Sequence, residues 1–168
     1  MTISMYQASI PVFRKMLENL SAILTKGEAH AEAHKIDPAV LLQARLYPDM
    51  FPLTKQVQIA GDFAKGAAAR LAGMEVPRYE DNEASFEELR ARIAKTLAFI
   101  STFKPQQIDG SEERSISLAI GGETLQFRGL AYLNHFVMPN FYFHVTTAYD
   151  ILRHNGVEVG KRDFVGDI

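Results

Sequence analysis

A proline stands in the middle of the most apolar stretch of this chain, and that conflict constrains the fold most. Residues 129–156 read GLAYLNHFVMPNFYFHVTTAYDILRHNG. Val137, Phe141, His144, Ala148 and Ile151 recur at three- and four-residue steps, so they share one helical face. Leu130, Leu133 and Leu152 widen it. Gly156 is a stop in which glycine takes the left-handed conformation, and Arg153 and His154 suit the negative end of the helix dipole. Pro139 removes a backbone donor and crowds the preceding turn, which predicts a kink at 137–140. Asn140 lies on nearly the same side as His144, whereas His135 falls on the opposite side unless the kink rotates it.

One long helix needs partners, and the rest of the chain supplies them. Residues 4–25 carry Met5, Phe13, Leu17, Leu20 and Leu24 at helical spacing, with Pro11 bending the helix or marking a late start and Gly27 interrupting it. GEAHAEAH, residues 27–34, reads as an exposed helical link. Its His30 and His34 have the four-residue spacing of a metal-binding pair, but Ala31 stands where a zinc-protease signature needs glutamate. Asp37 and Pro38 restart a helix that runs to about residue 46. Pro48 and Pro52 force a corner, where Asp49 is a candidate cap for the next helix. That second long helix spans about 51–72 and is rich in glycine and alanine, which permits close helix approach. Its Gln56, Gln58 and Asp62 are expected to be solvated. Ser85 and Glu88 form a capping box that opens a third long helix to about residue 103, with Arg90, Arg92 and Lys95 on its wet face. Residues 115–127 switch to alternation around Gly121 and Gly122, which predicts a β-hairpin packed on the helices.

No repeat or interdomain linker interrupts the sequence, and 168 residues can bury one substantial core. A single domain over residues 1–168 is expected. The fold is all-α, an up-down four-helix bundle with short linking helices and a small β-hairpin before the last helix. A net charge of −2 gives no electrostatic case for nucleic acid. No apolar run reaches about 18 residues, so no membrane span is expected, and the start of the chain lacks the pattern of a signal peptide. Absence of cysteine excludes thiol catalysis and thiolate metal sites, and fits a cytoplasmic protein. No phosphate loop, nucleophile elbow or carboxylate pair stands out. Phe136, Phe141, Tyr142 and Phe143 surround His144; core packing accounts for most of them, while Tyr132, Tyr142 and Tyr149 bring hydroxyls to the rim of an apolar pocket.

Three stretches carry a family resemblance: MYQASIPVF (5–13), YPDMFPLTKQVQIAGDFAKGAAARLAG (47–73) and NHFVMPNFYFHVTTAYDILRHNG (134–156). With the order helix, link, helix, helix, hairpin, helix and a final His-x11-Gly, the chain resembles the DinB-like (YfiT-like) superfamily of metalloenzymes, and most closely a bacterial subfamily of unknown function within it. The resemblance implies a four-helix bundle, often a homodimer, with a pocket between the helices. In its metal-binding members a divalent ion such as nickel or zinc is held by one histidine of the second long helix and an HxxxH pair on the last. His144 matches the second histidine of that pair, Asn140 the first, and Gln58, or else Gln56, the histidine of the second helix. Amides are poor ligands for transition metals, so the site is degenerate.

Three functions follow. The first is a metal-free bundle without a cofactor, whose pocket holds a small molecule through Gln58, Asn140 and His144, with His135 and Tyr142 nearby. The second is a thiol-transferase-like enzyme that binds nickel or zinc through His144 with Asn140, Gln58 or His135. The third is a dimeric structural or interaction protein whose polar cluster is a satisfied core network.

Overall fold

Three of the chain's helices end in the same backbone device, and those ends fix the corners of the molecule. The computed structural model describes residues 3–167. Helix α1 (Ile10–Ala33) ends with Lys35 in the left-handed region, φ 55°, while the Ile36 N–H bonds the Ala31 carbonyl at 2.8 Å. Helix α3 (Leu53–Leu71) ends at Gly73, φ 70°, with Met74 bonding Ala69. Helix α7 (Met138–His154) ends at Gly156, φ 89°, with Val157 bonding Leu152.

α1 starts late because Pro11 sits in its first turn, where a missing N–H costs nothing. Gly27 does not stop it. A Cβ there would lie 3.1 Å from both Leu152 and Phe86, so this glycine admits close neighbours, and the GEAHAEAH segment forms the last turns of α1. Helix α2 (Pro38–Leu42) is capped by Asp37, which accepts from the Ala39 N–H, and it is shorter than its sequence predicts. Pro52, not Asp49, precedes the first turn of α3. Helix α4 (Phe86–Ile100) begins at Ser85, whose hydroxyl accepts from the Glu88 N–H. After the short α5 (Pro105–Ile108), strands β1 (Ser115–Ile120) and β2 (Glu123–Arg128) pair antiparallel, Ser115 opposite Arg128, across the turn at Gly121 and Gly122.

The predicted kink takes another form. A single turn, α6 (Gly129–Ala131), leads into a π-helical segment over Tyr132–Val137, and only then does α7 begin. Pro139 lies in the first turn of α7 and cannot donate to the carbonyl four residues back. Widening the turn before it to i→i+5 spacing, as in the Met138 N–H to Leu133 bond, relieves that crowding. Leu130, predicted in the core, is exposed because it precedes the segment where the buried face resumes.

The molecule is mostly helical with one small two-stranded sheet. α1 packs on α4, α4 on α3, α3 on α7 and α7 on α1, so the long helices enclose one apolar core that includes Phe13, Phe86, Phe103 and Phe141. The terminal helix α8 (Lys161–Val165) lies on α1.

Candidate functional site

Helix α3 carries two polar stripes, and each meets a different neighbour. Gln56, Phe63 and Arg70 are seven residues apart, so they line one face. Gln58, Asp62 and Lys65 follow at steps of four and three and line another. Gln56 and Gln58 are buried, against their expected solvation, Asp62 is half-exposed, and Lys65 is buried beside them.

The first stripe faces the last helix. The Gln56 amide nitrogen donates to the Phe51 carbonyl at 3.0 Å, which fixes its oxygen toward His144. His144 Nδ1 lies 2.7 Å from that oxygen. The imidazole therefore carries its proton on Nδ1, and Nε2 keeps its lone pair. Burial pushes the His144 pKa down, which favours the neutral ring. Phe63 stacks on His144 with ring centres 5.9 Å apart, and Phe143 meets it edge-on at 5.3 Å. Phe63 also meets Phe136 of the π segment, with ring centres 5.7 Å apart. At the far end of the stripe Arg70 Nη1 donates to the Tyr132 hydroxyl at 3.1 Å. Burial raises the Tyr132 pKa, the Arg70 charge opposes that rise, and the phenol stays protonated. Between α3, β1 and the π segment lies a cleft of about 280 Å³, lined by Asp62, Phe63, Arg70, Tyr132, Phe136 and residues 117–120.

The second stripe faces α4. Gln58 donates to Glu83 at 2.7 Å, and Glu83 accepts from Arg92 at 2.9 Å. Arg92 also reaches Asp81 at 2.9 Å and Asp62 at 3.1 Å, while Lys65 pairs with Asp62 at 2.9 Å and Lys55 with Asp81 at 2.5 Å. Burial alone would raise the Glu83 pKa, but the hydrogen bonds from Arg92 and Gln58 hold it below its usual value. Tyr79 places its ring under Lys65 at 3.8 Å and Lys95 at 4.1 Å. Arg92 is thus buried rather than on a wet face: three carboxylates make that burial tolerable. Sequence spacing gave no signal for this network, since Asp81 and Glu83 come from a loop.

The residues expected around His144 separate. Gln56 takes the place expected of Gln58, which turns to Glu83. Asn140 folds back on its own helix and donates to the Phe136 carbonyl at 2.7 Å. His135 is exposed, because the π segment does not turn it inward, and Tyr142 is exposed on the outer side of α7. His30 and His34 lie away from this group, their tilted rings 4.2 Å apart beside Gly156.

The donor set does not fit a transition metal. His144 offers one imidazole nitrogen, and the nearest family positions carry amides already engaged elsewhere. Among the described residues no three His, Asp or Glu side chains are grouped to hold a metal ion. No helix among them is long and apolar enough to cross a membrane.

Comparison with known proteins agrees with this architecture. The family model of a domain of unknown function, DUF1993, matches residues 5–165. The crystal structure of a DinB family member protein from Shewanella denitrificans is similar at 43% sequence identity and a TM-score of 0.87, over 97% of this chain and 92% of that chain. No curated protein matches.

Proposed function

This chain belongs to the DUF1993 family and is a DinB-like protein, and from that premise we propose that it is a metal-free, ligand-binding member of the group. It is one domain, an up-down four-helix bundle, which binds a small molecule in the cleft between α3, β1 and the π segment. The observation that carries the reading is the position of Phe63. Its ring stacks on the buried His144–Gln56 pair and also lines the cleft, so the polar pair braces the cleft floor instead of gathering a metal. Clefts that hold small ligands combine apolar walls with a few fixed polar groups, and Phe63, Phe136, Tyr132 and Arg70 supply that mixture. The cysteine-free composition fits a reducing cytoplasm.

Elemental analysis of untagged protein, repeated after incubation with nickel, zinc and manganese, tests the metal-free reading. Less than about one-tenth of a metal per chain is expected, since only one imidazole is available. A stoichiometric ion that is lost in His144→Ala would overturn it and restore a thiol-transferase-like enzyme.

A second reading, a homodimer that acts as an interaction protein, is favoured by a different observation. Val40 of α2 and Leu46, Tyr47 and Phe51 of the corner that joins α2 to α3 are all exposed.

A further inference from the structure

The ligand class of the cleft follows from charge and hydrogen-bond bookkeeping. The network on the second stripe of α3 is neutral: Lys55, Lys65 and Arg92 balance Asp62, Asp81 and Glu83. Asp62, at one end of the cleft, is therefore already matched. Arg70 is not. Among the described residues no carboxylate forms an ion pair with it, and its one side-chain hydrogen bond goes to the neutral oxygen of Tyr132. That phenol, 1% exposed, accepts from Arg70, and its own proton reaches no acceptor among the described residues. A guanidinium and a phenol proton thus meet at one point in the cleft wall, both with donor capacity to spare.

The pose of Arg70 is built into the helix. The three heavy atoms nearest to a Cβ added at Gly66 all belong to the Arg70 guanidinium, and Nη1 would overlap it. Glycine in mid-helix costs stability, and here it leaves a notch into which the guanidinium folds back to reach Tyr132. The rest of the wall is aromatic, Phe63 and Phe136, over roughly 12 Å of α3 between Asp62 and Arg70.

We infer that the cleft selects a small organic carboxylate with an apolar or single-ring body, gripped by Arg70 and Tyr132 and covered by Phe63 and Phe136. This rests on the cleft being the binding site. Guanidinium and carboxylate match in geometry as well as charge, and the aromatic walls suit a flat or branched hydrocarbon. A volume near 280 Å³ lies at the lower end of ligand-sized cavities and excludes large cofactors.

The test titrates the full chain with acetate, benzoate and phenylacetate, each beside its neutral amide, followed by NMR of the Phe63, Phe136 and Tyr132 side chains and by calorimetry. The ring acids should bind at least tenfold more tightly than their amides. Arg70→Gln should remove that preference, and Tyr132→Phe should weaken the acids roughly threefold or more. Gly66→Ala should also weaken acid binding while its melting temperature stays level or rises, a split that a packing role for Gly66 would not produce. Amides that bind as well as acids, or acid affinity unchanged in both Arg70→Gln and Gly66→Ala, would overturn the carboxylate inference and leave the cleft reading intact. If neither acids nor amides move the three aromatic side chains, the cleft reading fails with it.

Discussion

His144 is a base that the fold keeps from its proton. Its pKa is pushed below the ordinary value near 6.5 because a buried imidazolium loses hydration, and the Gln56 oxygen, which accepts from Nδ1–H in either state, does not offset that loss. The unfolded chain therefore binds more protons than the native one between the depressed value and about 6.5. Stability rises with pH across that window. The contribution is whole above about pH 7 and is lost as acidification passes 6.5 and approaches the folded pKa. Urea unfolding at about pH 7.5, 6.5 and 5.5 should show the native protein losing stability on the acid side. His144→Gln, which cannot titrate and can still donate to Gln56, should show a shallower loss over the same interval. Equal slopes for the two proteins would mean that the ring is not held neutral by burial.

At the scale of elements, the three long helices that end alike differ in one residue type. α3 and α7 place Gly73 and Gly156 in the left-handed position, whereas α1 places Lys35 there. A side chain in that conformation costs about 1 kcal/mol, which glycine avoids. Lys35→Gly is expected to stabilise the protein by about 0.5–1 kcal/mol, read as a higher denaturant midpoint with an unchanged slope. No gain would show that Lys35 is compensated by contacts of its own. The same comparison explains what the sequence made legible. Helix stops at Gly73 and Gly156 are visible because glycine marks them, and the hairpin is visible because Gly121 and Gly122 do. The end of α1 carries no such mark, so Gly27, a packing glycine, is easily taken for a stop. The π segment is invisible for a related reason: Pro139 announces a disturbance, but how the preceding turn relaxes depends on packing around Tyr132 and Phe136. His144 itself could be read from its place on a helical face. Its partner could not, because Gln56 and Gln58 differ by two residues and their choice of neighbour is set by the Phe51 carbonyl and by Glu83, both outside the helix. The heptad step from Gln56 to Phe63 to Arg70 was the available signal for the cleft wall, and it is masked by the default that glutamine and arginine face water.

For the whole molecule, the unresolved balance lies between its buried core and the apolar corner left outside it. Tyr47 is 66% exposed, Val40 59% and Phe51 52%. Several large apolar side chains exposed within a dozen residues of sequence mark a surface for association, and a second copy of the chain related by a two-fold axis would cover each corner with its equivalent. The corner also touches the site through its backbone, since the Phe51 carbonyl orients Gln56 and hence His144. Light scattering after size exclusion at about 100 µM should therefore report a mass near twice that of the 18.8 kDa chain. The native melting temperature should rise with protein concentration, because association stabilises only the folded state. Tyr47→Ser combined with Phe51→Ser should give a monomer whose melting temperature no longer depends on concentration. That pair leaves the Phe51 carbonyl in place, so any change in ligand affinity would come from losing the partner copy. A native protein that runs as a monomer at that concentration would end the dimer reading, and the exposed corner would then have to be explained by a different protein.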